Sequence, residues 1–502
     1  MSYTHRDTVS NHGRWAFYPI PKERRKGRPF PGGPGKKESP IENIRKKRPA
    51  PSPATHHRIC ENVPWEPEEI LSLLEKDPSS FRALIDRKDT LGWSFIPWRI
   101  ERVIEDDGRD RKSPSFEALS AILQSIRLPA EHSVTPEDGD VPPFARGYVV
   151  LVPFEWGEIH EPSGGPFRHP DVPFLMAECS EVVAYHHKSR TLWIPPSCPY
   201  EPSGLAPAAE PAPDPSFSGS VRLESSMTFD EYRERFELLK EDIRAGRFFQ
   251  INYAFSFSGV PDGPLDLPSL YRSLARMNPG PGMGYFAWKD RAFLSNSPER
   301  LLTVRNGWIT TSPIAGTRPV ESPRPGEAEA FANDPKERAE HVMTVDILRN
   351  DLGRVCLPGT VEVPRFLAIE RYAHLLHLVS DIRGRSVPSL SFHDLLEAVF
   401  PGGSVTGAPK REVRKAIGEV EGRPRNYYCG SFGFLSSSGI WDLNLLIRTL
   451  FISPEGFRLP VGSGIVADSD PRREYDEIHA KARTFLERLN AQERIHRKGG
   501  RP

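Results

Sequence analysis

The chain has 502 residues, enough for several domains or for one large catalytic unit. Lys plus Arg and Asp plus Glu balance at 67 each, which excludes a global electrostatic pull toward nucleic acid or membrane and leaves only local patches. Five scattered cysteines form no CxxC pair and no apolar run reaches about 18 residues, so a reducing cytoplasm is expected, with no disulfide framework and no membrane span.

Residues 1–56 are rich in Arg, Lys, Pro and Gly and lack apolar periodicity. Such a segment cannot bury enough surface to offset its chain entropy, so it reads as a disordered basic tail. Residues 57–215 read as an N-terminal subdomain, 216–490 as the catalytic region and 491–502 as a flexible C-terminal tail. Within the first, a helix is expected at 68–77, strands at 81–87 and 92–100, a helix at 116–126, a strand at 146–156 and a hairpin over 180–194. The Pro-rich stretch 199–215 reads as an exposed linker.

A long helix is expected over 229–247, capped by Thr228 or Asp230, with Tyr232, Phe236, Leu239 and Ile243 on its apolar side. The strand 248–259 follows, with Phe249, Ile251 and Tyr253 on one face and Phe248, Gln250 and Asn252 on the other. The densest mixture of acids, bases and apolar residues lies at 334–357. Asp334-Pro335 is a good helix start, and Val342, Val345, Ile347, Leu348 and Leu352 make an apolar stripe. Glu337 and Glu340 share a face beside it. Taken alone, they fit a solvated face partnered by Lys336 and Arg338 as well as the wall of a site.

Six polar motifs stand at element ends: FFQINY, SNSPERLL, TSPIAGTRP, KERAEH, SVTGAPK and VGSGIVADSDPRREYDEIHAKA. In this order they resemble the chorismate-utilising enzymes, which include anthranilate synthase and aminodeoxychorismate synthase component I and the isochorismate and salicylate synthases. The resemblance is weak before Phe229 and strong after it. It implies an α+β fold in which two packed antiparallel β-sheets are flanked by helices.

The resemblance also implies a magnesium ion bridging substrate carboxylates, held by Glu340 and Glu477, with Glu337 and Glu474 close behind. A hard cation that keeps several waters and takes one or two carboxylates suits that set. Arg448 matches a carboxylate-binding arginine, and Lys481 lies one helical turn beyond Glu477. Gly462 and Gly464 would let backbone N–H groups approach the ligand, and Gly316 falls in the substrate-binding PIAGT motif. Tyr428 matches a tyrosine that touches a carboxylate, with a packed core tyrosine as the alternative. Glu299 fits a general acid, His377 a histidine near the leaving hydroxyl, and Thr317 and Ser404 hydrogen-bonding roles around the ring.

Two positions bear on the member. Gln250 stands where isochorismate and salicylate synthases carry a lysine that activates water, which implies ammonia as the nucleophile. Ala315 stands where many aminodeoxychorismate synthases carry a lysine that attacks the ring, and anthranilate synthases have Ala there. FPGGSVTGAPK, NYYCGSFGF and DLNLLIRTL are more similar to aminodeoxychorismate synthases, and the tryptophan-feedback signature LLES is replaced by ALIDR. The reading is therefore aminodeoxychorismate synthase component I, with anthranilate synthase component I as the alternative. The chain has no glutamine-hydrolysing GxCxG motif, which implies a separate glutamine amidotransferase subunit supplying ammonia. A non-catalytic relative that binds nucleic acid through the basic tail is the competing class.

Overall fold

The structure, a computed structural model, describes residues 57–61, 63, 81–88, 91–129, 141–166, 169–199, 221–225, 227–277, 279–319, 326–372, 375–489 and 491–493. The expected tail, the 68–77 helix and nearly all of the 199–215 linker lie outside these residues. Residues 55–502 group as one compact unit. Within it, twenty-one strands among the described residues join through hydrogen bonds into one continuous network with helices packed on it, the α+β class expected. Among the described residues every pairing is antiparallel except Val221–Ser225 with Ala491–Glu493. That parallel pair carries ordered structure three residues past the expected start of the C-terminal tail.

Strand alternation builds the interior. Along Gly147–Val152, Val149 and Leu151 enter one buried cluster while Val150 and Val152 enter the other. Leu84 and Tyr285 join the second of these, whereas Ala83, Ile85 and Phe286 join the first. A sheet covered on both faces explains why these segments read as continuous apolar runs. The larger cluster takes side chains from both sides of residue 216, from Ile96 and Phe174 to Leu450 and Phe485.

Several elements differ from expectation. The 146–156 segment is a strand only to Val152 and then turns into the short Trp156–His160 helix. The Gln250–Pro261 strand starts two residues late. Phe248 is consequently buried and Phe249 is 69% exposed, so Phe249 does not share the buried face of Ile251 and Tyr253 as expected. On the Pro335–Gly353 helix, Val345, Leu348 and Leu352 are buried but Val342 is exposed.

Three helix starts matter for the site. Thr228 and Glu231 form a reciprocal capping box at the Phe229–Arg244 helix. Asp334 accepts from the Glu337 N–H at 3.3 Å, and Asp470 accepts from the Arg473 N–H at 3.0 Å, starting the Pro335–Gly353 and Pro471–Arg488 helices. Buried Lys240 donates to the Ser469 carbonyl at 3.0 Å and ties the first helix to the approach of the last.

Candidate active site

One cleft gathers Gln250, Glu299, Gly316, Glu337, Glu340, His377, Ser404, Tyr428, Arg448, Gly462, Gly464, Glu474, Glu477 and Lys481. These are fourteen of the candidate residues, drawn from positions more than 200 apart in sequence. Ala315 and Thr317 flank Gly316 on the Ile314–Pro319 strand, where Thr317 pairs in register with His377. Their side chains lie outside the description.

Glu299 is buried at the end of the Arg291–Ser297 strand, and its Oε1 accepts from the Ser404 hydroxyl at 2.6 Å. Burial pushes its carboxyl up to about 7, against the opposing pull of Ser404, the Ile314 backbone, Lys481 and Arg448. At neutral pH a substantial fraction therefore carries a proton, the state a general acid needs. His377 is driven the other way, to about 4, by burial and by the Arg448 charge, so its imidazole is neutral.

Arg448 is half-buried, and desolvation holds its guanidinium below its ordinary value, with Glu477 and Glu299 as the opposing charges. Its φ of 46° is left-handed, an uncommon backbone for a non-glycine residue and one found at functional sites. Lys481 bridges Glu477 at 2.7 Å and donates to the Gly462 carbonyl at 3.0 Å. Tyr428 fits both readings offered for it: it packs in the large core and also lines the cleft, beneath Arg425 at 5.6 Å from its ring centroid.

The four glutamates arrive as two pairs. Glu337 and Glu340 come from the Pro335–Gly353 helix, and Glu474 and Glu477 from the Pro471–Arg488 helix. Gly316, at φ 72°, leaves the room that the Glu337 carboxylate fills, since a Cβ there would collide with Glu337 Oε2. Four oxygen-donor side chains facing a cleft that holds Arg448 and Lys481 suit a hard divalent cation together with an anionic ligand. The donor set thus fits magnesium, and Lys481 engages one Glu477 oxygen. Among the described residues, His393, Asp394 and Glu397 also cluster, but on an exposed helix start away from this cleft.

The glycines act differently from expectation. A Cβ on Gly462 would come within 2.7 Å of Asn252 Oδ1 and one on Gly464 within 2.8 Å of Gln250 Nε2, so both make room for neighbouring side chains. Sequence reasoning also missed Asn252 and Thr344 as lining residues. Asn252 shares the strand face of Gln250, and Thr344 lies one turn beyond Glu340, signals present in the sequence but weak alone.

The family described as chorismate binding enzyme matches residues 81–487. The chain belongs to the chorismate-binding enzyme family. It is 40% identical over 312 residues to aminodeoxychorismate synthase component 1 of Salmonella typhimurium, a match covering 61% of this chain and 66% of that protein. It is 34% identical over 446 residues to anthranilate synthase component 1 of Thermus thermophilus, covering 84% and 95%. The crystal structure of anthranilate synthase component I from Streptococcus pneumoniae superposes with a TM-score of 0.62 at 24% identity, covering 89% of this chain and 97% of that one, a likeness of fold. The family's aminating relatives thus divide between two products at similar identity. No helix among the described residues is long and apolar enough to cross a membrane.

Proposed function

We propose that the protein aminates chorismate, forming 4-amino-4-deoxychorismate with ammonia delivered by a glutamine amidotransferase partner. What carries this reading is one cleft that holds a buried proton donor, Glu299, and a neutral carboxamide, Gln250. Glu299 gives its proton to the ring hydroxyl, the C–O bond breaks and water leaves. Ammonia forms the new C–N bond, and loss of the surplus nitrogen proton balances the exchange: one ammonia in, one water out. Gln250 cannot serve as the base that would activate water instead.

Arg448 and Lys481 supply positive charge for the substrate carboxylates, and neutral His377 offers an uncharged hydrogen-bonding group. Glu340 and Glu477, with Glu337 and Glu474 nearby, are the residues proposed to hold magnesium, which would neutralise bound carboxylates. The relatives' printed designation as component 1 supports a second subunit as the ammonia source.

Ala315 favours a second reading, anthranilate formation, because it removes the lysine nucleophile that the resemblance associates with many aminodeoxychorismate synthases. Incubation with chorismate, magnesium and ammonium separates the two. The preferred reading expects 4-aminobenzoate only when an aminodeoxychorismate lyase is added. Fluorescent anthranilate without lyase would overturn it in favour of the second.

A further inference from the structure

Asn252 lies two residues from Gln250 on the Gln250–Pro261 strand, so the two carboxamides leave the same face, and both line the cleft. Its main chain is held at both polar atoms. The N–H donates to the Thr406 carbonyl at 2.8 Å, and the carbonyl accepts from the Arg425 guanidinium at 2.6 Å. Arg425 is itself buried, paired with Glu421 at 2.6 Å and bonded to the Val405 carbonyl at 3.0 Å. The backbone therefore fixes where the Asn252 side chain stands.

The side chain is unsatisfied. Its Oδ1 is buried and accepts no hydrogen bond from the described residues. It faces the point where a Gly462 Cβ would be, at 2.7 Å, and the same point lies 2.8 Å from the Tyr253 carbonyl oxygen and 2.9 Å from the Tyr428 hydroxyl. Of the two nearly isosteric amide orientations, the one that aims oxygen at the Tyr253 carbonyl sets two acceptors face to face, whereas the Tyr428 hydroxyl can pair with either. Turning the amide over directs its NH2 toward those oxygens and presents an acceptor to the cleft. Beside it, Gln250 fits against Gly464 in the same manner.

We infer that Asn252, together with Gln250, binds the attacking ammonia, the Asn252 amide oxygen accepting one of its N–H bonds. This rests on the amination reading above. Ammonia has one lone pair, which must point at the ring carbon, and three N–H bonds that need acceptors. Neutral amide oxygens accept those bonds without taking a proton. A carboxylate there would instead favour ammonium, whose lone pair is blocked. As the C–N bond forms, the nitrogen gains positive charge and its hydrogen bonds strengthen, so the contact acts on the transition state.

The test uses the purified full chain with chorismate, magnesium and varied ammonium chloride. Asn252→Leu and Asn252→Ala should each raise KM for ammonium about ten-fold, the worth of one such hydrogen bond. KM for chorismate should stay within about two-fold. A loss that falls on chorismate KM, or an unchanged ammonium KM in both variants, would overturn the assignment. Failure of the wild-type chain to aminate chorismate at all would instead overturn the underlying reading, and this one with it.

Discussion

Residues 57–225 and 227–489 share one strand network and one large core, yet every residue lining the cleft lies between Gln250 and Lys481. The first region puts its buried polar groups to another use. Arg87, fully buried, bonds Asp442 and donates to the Met283 carbonyl at 2.9 Å, clamping strands of the second region from below. Glu155 accepts from the Arg425 N–H at 2.6 Å and the Asn426 N–H at 3.1 Å, fixing the turn that leads into Tyr428. Polar side chains in the first region are spent on backbone and ion-pair partners, whereas in the second many line the cleft. Substitutions in one should cost stability, and in the other turnover.

The largest effect expected is on the proposed metal residues. Glu340→Gln or Glu477→Gln should reduce magnesium-dependent turnover to background in a chorismate-consumption assay while the melting temperature changes little. Next, Glu299→Gln should lower kcat by roughly 10²–10⁴-fold, the usual worth of a positioned general acid. At saturating free ammonia the wild-type kcat should correspondingly fall about ten-fold per pH unit above the Glu299 pKa of about 7, because the protonated form is the working one.

In the first region, Arg87→Met should cost about 2–3 kcal/mol of unfolding free energy, read by urea denaturation, because it removes one of Asp442's two arginine partners and leaves Arg300 at 3.4 Å. Chorismate KM in the folded fraction should be unchanged. A raised KM with intact stability would break the division between the regions. The smallest effect concerns Glu155, whose carboxyl burial pushes up to about 8. The folded chain holds that proton where the unfolded chain releases it near the ordinary 4.5, so stability from this group is lost as pH rises across that interval. Glu155→Gln should flatten the fall of melting temperature over the same range.

The site was largely legible because its chemistry is written in short motifs. SPER supplies Glu299, KERAEH supplies Glu337 and Glu340, and the last helix repeats their spacing with Glu474 and Glu477. What could not be read was cross-strand. The role of Gly462 appears only once its strand lies against the one carrying Asn252, which puts a missing Cβ beside an unsatisfied amide. The Phe248 and Phe249 faces failed for a local reason: alternation holds only inside a strand, and this one begins at Gln250. The clamps from Arg87 and Glu155 span more than 250 residues of sequence, a separation no pattern within one segment encodes.

The most direct measurement supplies nitrogen-15 ammonium with chorismate and magnesium and follows the product by mass spectrometry. One labelled nitrogen per chorismate consumed, entering with loss of one water and with the enolpyruvyl group retained, is the predicted result. Chorismate left intact, or converted to a product without the label, would contradict amination in this cleft.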